Sequence, residues 1–467
     1  MSRDLATPSS DLQDYYDHVP PAHRLPDYST LSGQGQNIPL QAAASSSAVN
    51  LAEPYSDIPS ARTRLHFGDR RGEFVDSPYV EEKSRLGNRK KWVLGGLIAI
   101  IVAIIVAIIL GVVLSRKNSS SSSSDDSISG DPSQFTKDSS LKQSFWGIAY
   151  TPEGTLYPDC GAKLSDVVTD IQLLSQLTTR IRVYGADCNT TALVLNAIQL
   201  TKVNMTVYIA NYPEATDNGE AYDRQKSAIQ SAIQTFGTDH IAGVTVGNEF
   251  ILDYLDDNGG TDPNSDIGNT GAQILLGFIN DTRSMLSDMS VSLKIGNADA
   301  GSYFNDLVLE DVDYGMANVH PWFANVSIEQ AAGWTWNFFE TIDVALAKSL
   351  SNDPEMSIAE TGWPTNSTDA GNESNGPSTA SETNLQTFLN TFVCQANANG
   401  TEYFFFEVRP CFCFIYPFPR SPPPSRKQYF DETWKTEKYG GVEGYWGLFY
   451  SNRTLKNIEI PDCSSSS

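Results

Sequence analysis

The feature that most constrains this chain is an alternation of short apolar runs and helical patterns between about residues 145 and 407. Segments with helical periodicity lie between the runs, such as 164–177, 219–236, 271–286 and 384–398. Eight such alternations predict an α/β fold of the (β/α)8, or TIM-barrel, type. A doubly wound sheet is the alternative, but no glycine-rich phosphate loop follows the first run. The eight predicted strands span 145–150, 180–185, 205–212, 241–249, 292–298, 314–321, 356–360 and 402–407.

Two glutamates close predicted strands that lie far apart in the chain: Glu249 in TVGNEF and Glu360 in SIAETGWPT. In a parallel barrel the carboxyl ends of all the strands meet at one mouth, so these two side chains can converge. Two converging carboxylic acids can cleave a glycosidic bond, because one protonates the leaving oxygen while the other attacks or activates water. The alternative is that each glutamate is a solvated loop residue.

Other predicted strand ends carry aromatic, amide and carboxylate side chains. Sugar rings present apolar C–H faces and hydroxyl edges, so this mixture suits a carbohydrate cleft. Core packing is the alternative for any single aromatic residue, but their clustering at the same end of successive strands favours the cleft. The candidates are Tyr150, Tyr184, Asp187, Tyr212, Asn248, His320, Trp322, Phe323, Trp363 and Glu407.

The N-terminal part of the chain predicts a membrane anchor. Residues 92–114 carry no charge and are long enough to cross a bilayer as a helix, and a signal peptide would be shorter and nearer the N-terminus. Basic residues crowd its N-terminal flank, which favours a cytoplasmic N-terminus. Composition predicts a disordered cytoplasmic tail over 1–91 and a serine-rich flexible stalk over 115–144. The sequence therefore predicts a single-pass type II membrane protein with an extracellular domain over 145–463.

Cysteines and sequons fit that location. Four of the six cysteines could form two disulfides in an oxidising compartment. Of the three connectivities we favour Cys160 with Cys188 and Cys394 with Cys463, because each pair would tie nearby elements. Eight N-x-S/T triplets predict N-glycosylation of a lumenal domain. They begin at Asn189, Asn204, Asn280, Asn325, Asn366, Asn372, Asn399 and Asn452.

Charge and metal-ligand patterns narrow the functional classes. A formal net charge of -24 argues against a nucleic-acid partner, because phosphates require basic patches. The predicted domain has only two histidines, His240 and His320, and no HExxH or CxxC spacing. We therefore expect no metal and no cofactor.

Five segments occur in an order and spacing that resemble glycoside hydrolase family 17, the endo-1,3-β-glucanases: GIAYTP, RIRVYGADCN, VTVGNE, NVHPWF and IAETGWPT. The resemblance covers roughly residues 145–455, and the anchor resembles that of fungal type II members which act on cell-wall β-1,3-glucan. It implies a TIM barrel, a retaining mechanism and a place in the plasma membrane, facing the wall. By motif, Glu249 would be the general acid/base and Glu360 the nucleophile. Substrate-binding roles would fall to the aromatic candidates and to Asn248, His320, Glu407, Glu432 and Lys435.

The chemistry sets further expectations for the two glutamates. Glu249 should be protonated to donate to the leaving oxygen, and Glu360 should be ionised to attack C1. A retaining pair is expected to hold its carboxyl groups about 5–5.5 Å apart. Asn248 is a candidate for bonding the sugar 2-hydroxyl. A transglycosylase, or a non-catalytic wall-binding sensor, is the alternative function, and the presence of both glutamates favours the enzyme.

A segment after the eighth predicted strand departs from the family pattern. Residues 408–428 contain six prolines, four basic residues and no acidic residue within an acidic domain. Val408–Arg409 can be encoded by GTACGT and Gln428 by CAG, which resemble intron donor and acceptor signals. Our hypothesis is that these residues translate a retained intron. A genuine loop at the catalytic mouth is the alternative.

Overall fold

The computed structural model of the protein describes residue 128 and residues 130–406, 441–450 and 452–463. Several predictions concern residues outside these ranges: the tail 1–91, the apolar segment 92–114, the first part of the stalk, and the insert 408–428. The predicted substrate-binding residues Glu407, Glu432 and Lys435 also lie outside the described residues.

The predicted plasma-membrane localisation is wrong for the part of the chain that the structure describes. A spanning helix needs about 20 consecutive, predominantly apolar residues. Among the described residues, no helix is both long enough and apolar enough to cross a bilayer. The segment 92–114, which carried the prediction, lies outside them.

Eight parallel strands form a closed barrel, which confirms the predicted fold class. Each strand pairs with the next along the chain, and the eighth closes the barrel by pairing with the first, where Phe404 lies opposite Gly147. The strands are nearly all buried, as expected of runs covered on both faces. They are β1 Gly147–Ala149, β2 Arg180–Arg182, β3 Thr206–Asn211, β4 Ile241–Asn248, β5 Ile295–Ala300, β6 Tyr314–Asn318, β7 Glu355–Thr361 and β8 Tyr403–Phe406.

Helices surround the barrel and bury their apolar stripes against it. The helix Ile328–Phe338 continues as a π-helical stretch, Phe339–Val344, and a last short turn. A short antiparallel pair, Ser374–Asn375 with Ser378–Thr379, lies between β7 and the last helix. The helices are α1 Leu164–Leu174, α2 Thr190–Thr201, α3 Glu220–Phe236, α4 Phe250–Asn258, α5 Asp266–Asp288, α6 Asp306–Leu309, α7 Ile328–Phe338 and α8 Glu382–Asn399.

Aromatic side chains fill the barrel interior below the mouth. The Tyr208 ring packs edge-on against Tyr314 at 5.4 Å and against Phe404 at 5.5 Å. The Tyr314 hydroxyl shares a 3.0 Å hydrogen bond with Thr245. A Cβ atom at Gly296 would lie 2.1 Å from the Tyr314 ring, so only glycine leaves room for it there. The interior is thus a packed core, and the cleft is confined to the carboxyl ends of the strands.

The segments that flank the barrel in sequence pack onto it. Residues 130–144, predicted as the end of the stalk, lie against α1. The side-chain amide of Gln172 donates to Pro132 O at 2.8 Å, and the backbone N–H of Asp138 donates to Gln176 Oε1 at 2.7 Å. The packed part of the chain therefore begins before residue 145.

Two disulfides link neighbouring elements of the described chain. Cys160 pairs with Cys188, which joins the loop after β1 to the turn after β2. Cys394 in α8 pairs with Cys463 and so attaches the C-terminal segment, residues 441–450 and 452–463, to the barrel. That segment also anchors through Arg453, whose Nε donates to the buried Asp170 of α1 at 2.9 Å.

Candidate active site

Glu249 occupies a sharp corner between β4 and α4. β4 ends at Asn248 and α4 begins at Phe250, so Glu249 is the whole connection. It adopts a left-handed conformation, with φ +56° and ψ +29°, which costs a non-glycine residue about 1–2 kcal/mol. Its amide donates to Ala298 O at 3.1 Å, and its carbonyl accepts from the Asp253 amide at 2.9 Å. These bonds fix the backbone that aims the carboxyl group.

An amide holds the Glu249 side chain. Nδ2 of Asn318, the last residue of β6, donates to Glu249 Oε1 at 2.8 Å. Asn318 is itself buried, whereas Glu249 is half-buried. The glutamate therefore lies at the barrel mouth, and β6 holds one of its carboxyl oxygens through Asn318.

The Glu249 side of the site is rich in carboxyl groups. Asp299, buried at the end of β5, accepts from the Ile251 amide at 2.9 Å and the Ala300 amide at 3.0 Å, and so caps α4. Burial is the largest cause that raises the pKa of Asp299 well above its usual range. Burial, followed by the charges of Glu249 and Asp299, also raises the pKa of Asp253 well above its usual range. Despite this clustering, no metal-binding group of three or more ligands occurs among the described residues.

Glu360 lies within β7 in a different setting. Its carboxyl is buried, with Oε1 3.8 Å from Nη1 of Arg182 and Oε2 3.1 Å from Nε2 of His320. A guanidinium at this distance favours the charged carboxylate. The imidazole bonds the second oxygen when its Nε2 carries the proton, which fixes the orientation of the carboxylate.

Arg182 connects the two glutamates. It projects from the end of β2, is 1% exposed, and donates through Nη2 to Asn248 Oδ1 at 2.8 Å. Its Nη1 lies 3.5 Å from Asn318 Oδ1, and Asn318 in turn bonds Glu249. Because the same Nη1 contacts Glu360, one buried cation and one amide link both carboxyl groups. The contacts join strands β2, β4, β6 and β7.

Aromatic rings enclose the Glu360 side of the mouth. His320 packs edge-on against Phe406 at 5.1 Å and against Trp446 at 5.0 Å, and lies 5.9 Å from Phe323. Trp322 packs on Phe323 at 5.2 Å. The predicted residues His320, Trp322 and Phe323 are therefore in one cluster, and the half-buried Phe323 is its most accessible member. On the opposite side, the Tyr184 ring lies 4.5 Å from the Arg182 guanidinium.

Three predicted sugar-binding residues make contacts with the helices and loops around the barrel. The Tyr150 hydroxyl donates to Asp170 of α1 at 2.7 Å. Trp363 is fully buried beside Phe388 of α8, and its indole N–H donates to Thr379 O at 2.9 Å. The Tyr212 backbone bonds Gln225 of α3 through both its N–H and its carbonyl. The side chains of Tyr150 and Trp363 therefore connect the barrel to helices α1 and α8.

Four residues of the site were not predicted as such: Arg182, Asn318, Asp299 and Trp446. Arg182 and Asn318 lie inside the predicted runs 180–185 and 314–321, whereas Asp299 directly follows the predicted run 292–298. Arg182 carried a usable signal, because a charged residue within an apolar strand requires a buried partner. Trp446 lies far along the chain from its neighbours in space, and no local pattern indicates its position.

Comparison with known proteins adds to this geometry. Residues 147–410 match the family model described as the BtgE/BtgC glycoside hydrolase domain. The match ends at the third residue of the atypical segment 408–428. A putative glucan endo-1,3-beta-glucosidase btgC from Aspergillus niger is 34% identical over 341 residues. That alignment covers 69% of this chain but 44% of the relative, so the chain spans less than half of that protein's length.

Solved structures show the same fold. The glycoside hydrolase family 17 beta-1,3-glucanosyltransferase from Rhizomucor miehei is 22% identical with a TM-score of 0.51, covering 69% of this chain and 99% of that one. An endo-laminarinase from Formosa Hel1_33_131 is 18% identical with a TM-score of 0.51, covering 67% and 84%. These comparisons confirm the resemblance to family 17 stated from the motifs. Because the family model spans more than half of the chain, this protein belongs to the BtgE/BtgC glycoside hydrolase family.

Proposed function

We propose that this protein is a retaining glycoside hydrolase that cleaves internal β-1,3-glucosidic linkages of β-glucan. The observation that carries the proposal is the pair Glu249 and Glu360 at one barrel mouth, linked through Asn318 and Arg182. Family membership supports the reaction class, and the name of the Aspergillus niger relative supports the linkage.

In the first step Glu360 is the nucleophile and Glu249 the acid. A carboxylate oxygen of Glu360 attacks C1 of the glucosyl unit, while the bond from C1 to the leaving oxygen breaks and Glu249 gives that oxygen a proton. The product is a glycosyl ester on Glu360 and a released chain with a free hydroxyl. Arg182 and His320 hold the carboxylate in line for the attack.

In the second step Glu249 acts as the base. It removes a proton from water, the water oxygen attacks C1, and the ester bond to Glu360 breaks. Two inversions at C1 return the original β configuration. A sugar hydroxyl that takes the place of water would form a new glycosidic bond, which is the transfer reaction.

The neighbours of each glutamate suit these roles. Arg182 stabilises the negative charge that Glu360 needs before attack. On the other side, the neutral amide of Asn318 bonds Glu249, and burial raises the pKa of the neighbouring Asp253 and Asp299 well above their usual range. A carboxyl group beside a cation suits a nucleophile, and one beside a neutral amide suits the acid in this proposal.

The cleft residues supply substrate contacts in this proposal. Asn248 lies beside Glu249 and accepts from Arg182 through Oδ1, and we assign its Nδ2 as the donor to the sugar 2-hydroxyl. Phe323, with Trp322 behind it, offers an apolar face to a glucosyl ring. Tyr184, stacked on Arg182, lines the other wall.

We also propose N-glycosylation of the folded domain. The asparagines of all eight sequons are exposed, and the two disulfides are compatible with an oxidising compartment. A shift in intact mass after treatment with a peptide-N-glycosidase would support the proposal, and an unchanged mass of protein from the native host would contradict it.

Hydrolysis of laminarin tests the main proposal. We expect the release of reducing ends, with a mixture of oligosaccharides early in the reaction because an endo-acting enzyme cuts within chains. Proton NMR of the first products should show the β anomer before mutarotation. Initial α anomer would overturn the retaining mechanism, and products longer than the substrate would assign the transfer reaction. The proposed function would be overturned if the protein left every tested β-1,3-glucan intact.

A further inference from the structure

Tyr157 is the most exposed of the large apolar side chains that the structure describes, at 57%. It lies in the loop between β1 and α1, which follows the carboxyl end of a strand, so it is at the same end of the barrel as Glu249 and Glu360. Most exposed aromatic residues lie singly on a surface and carry no meaning. The surroundings of Tyr157 distinguish it from those.

One face of the Tyr157 ring is covered by a cation. The Arg224 guanidinium lies 3.9 Å from the ring centroid. Arg224 makes a bidentate ion pair with Asp187, in which Nε donates to Oδ1 at 2.6 Å and Nη2 donates to Oδ2 at 2.9 Å. The planar guanidinium therefore lies in a fixed orientation and supports the ring from one side. With one face covered and more than half of the residue exposed, the opposite ring face is directed to solvent.

The loops that carry these three residues are fixed to one another. The disulfide between Cys160 and Cys188 joins the Tyr157 loop to the turn that contains Asp187. Within the loop, the amides of Gly161 and Ala162 both donate to Gly154 O, at 2.8 and 3.0 Å. The ring consequently loses little conformational entropy when a ligand covers it.

Stability does not account for this arrangement. The Arg224–Asp187 pair is partly exposed, and pairs of this kind contribute little to folding. An oriented aromatic face beside a guanidinium and a carboxylate matches the surface of a β-linked glucosyl unit. Its axial C–H bonds make the ring face apolar, and its equatorial hydroxyls can accept from Arg224 and donate to Asp187.

We propose that Tyr157, Arg224 and Asp187, here called the Tyr157 platform, form a distal subsite that stacks one glucosyl unit of a β-1,3-glucan chain at the rim of the cleft. The inference rests on the proposed function and adds a preference for long substrates. In this proposal, a short chain fills only the positions beside Glu249 and Glu360. A longer chain contacts both those positions and the platform.

The test compares chain lengths in the full-length protein. The kcat/KM values are measured for laminarioligosaccharides labelled at the reducing end, from the trimer to the heptamer, with Tyr157→Ala, Tyr157→Phe and wild type. We expect Tyr157→Ala to lower the ratio of the heptamer value to the trimer value about three- to tenfold, through KM, because one aromatic stacking contact is lost. Tyr157→Phe should keep the ratio within about twofold, because it retains the ring face. Trp336→Ala is the matched control: it removes an exposed aromatic residue from the outer helix α7 and should leave the ratio unchanged.

A binding measurement separates this inference from the proposed function. In the Glu360→Gln background, calorimetric titration with the heptamer should give a Kd about three- to tenfold higher when Tyr157→Ala is added. If wild type degrades no glucan, the proposed function fails, yet this titration still decides whether the platform binds one. The inference is overturned if Tyr157→Ala lowers kcat/KM equally for all chain lengths or leaves the Kd for the heptamer unchanged. It is also overturned if Tyr157→Phe lowers the heptamer-to-trimer ratio as much as Tyr157→Ala does. Thermal unfolding of each variant identifies a loss that comes from misfolding, and a glucan-binding loss in a fully folded Tyr157→Ala supports the platform.

Discussion

The two sides of the cleft present the same functional group in opposite surroundings. Glu360 lies within a strand, buried between the Arg182 guanidinium and His320, with aromatic rings behind the imidazole. Glu249 lies at a left-handed corner, bonded by a neutral amide and flanked by carboxyl groups. A cation lies beside Glu360, whereas a neutral amide bonds Glu249. The comparison teaches that two chemically identical side chains can be given different neighbours by one fold, and the roles proposed for the two glutamates rest on that difference.

The largest effect is expected from removing the charged nucleophile. Glu360→Gln should lower kcat on laminarin about 10⁴-fold or more, because no covalent intermediate can form. The matched control is Glu355→Gln, a change in the same strand at an exposed position that pairs with Lys294, and it should keep nearly full activity. Reducing-end assays and a covalent glycosyl label detected by mass spectrometry would measure both. Substantial activity in Glu360→Gln would remove the distinction between the two sides.

The next effect should come from the opposite side and should depend on the leaving group. Glu249→Gln should lower kcat/KM on laminarin about 10²- to 10⁴-fold, because the departing sugar oxygen is no longer protonated. An aryl β-glucoside with an acidic phenol leaving group needs little protonation, so its cleavage step should be affected much less. Asp257→Asn, on the exposed side of α4, is the control. Equal losses on both substrates would contradict the acid role.

Arg182 allows the connection between the two sides to be tested. Arg182→Lys keeps the charge but cannot bond Asn248 and Asn318 while also contacting Glu360, so we expect kcat to fall about 10- to 100-fold. Arg180→Lys is the control in the same strand, since Arg180 lies over Trp146 and does not contact either glutamate in the described contacts. Steady-state kinetics on laminarin and thermal unfolding would be measured together. An unchanged kcat would show that the network does not orient the carboxyl groups.

The smallest expected effect concerns the acid-rich side alone. Asp299→Asn keeps the shape but weakens the cap on α4, so we expect a loss of about 0.5–2 kcal/mol in stability and a loss of activity on laminarin of about tenfold or less. The change also alters how stability depends on pH. Because burial raises the pKa of Asp299, the folded state holds this proton more tightly than the unfolded state does.

The sign of the pH effect follows from that difference. The contribution of Asp299 to stability is fully present below the usual range of an aspartate and is lost as the pH rises through the raised pKa. The asparagine variant lacks this loss, so its stability relative to wild type should improve as the pH rises. Urea unfolding between pH 4 and pH 8 would measure it. Parallel curves for the two proteins would show that Asp299 is ionised equally in both states.

The sequence predicted the framework of the site better than its connections. Eight apolar runs predicted the barrel, and the strand-end position of Glu249 and Glu360 places both at its mouth. The direction of an individual side chain depends on strand tilt and on the local turn, which hydrophobic periodicity does not encode. This is why Trp363, predicted to contact sugar, is buried against α8. Arg182 was missed because its partners come from three other strands.

The attachment of the C-terminal segment has a consequence for making shortened forms of this protein. The family model ends at residue 410, and the last barrel strand ends at Phe406, so either point suggests a natural place to cut. A fragment cut there would lose Trp446, which packs on His320 beside Glu360, and would leave Cys394 without Cys463. A crystallisation or expression trial should therefore retain the chain through residue 463, since a minimal barrel would lack part of the aromatic cluster around His320.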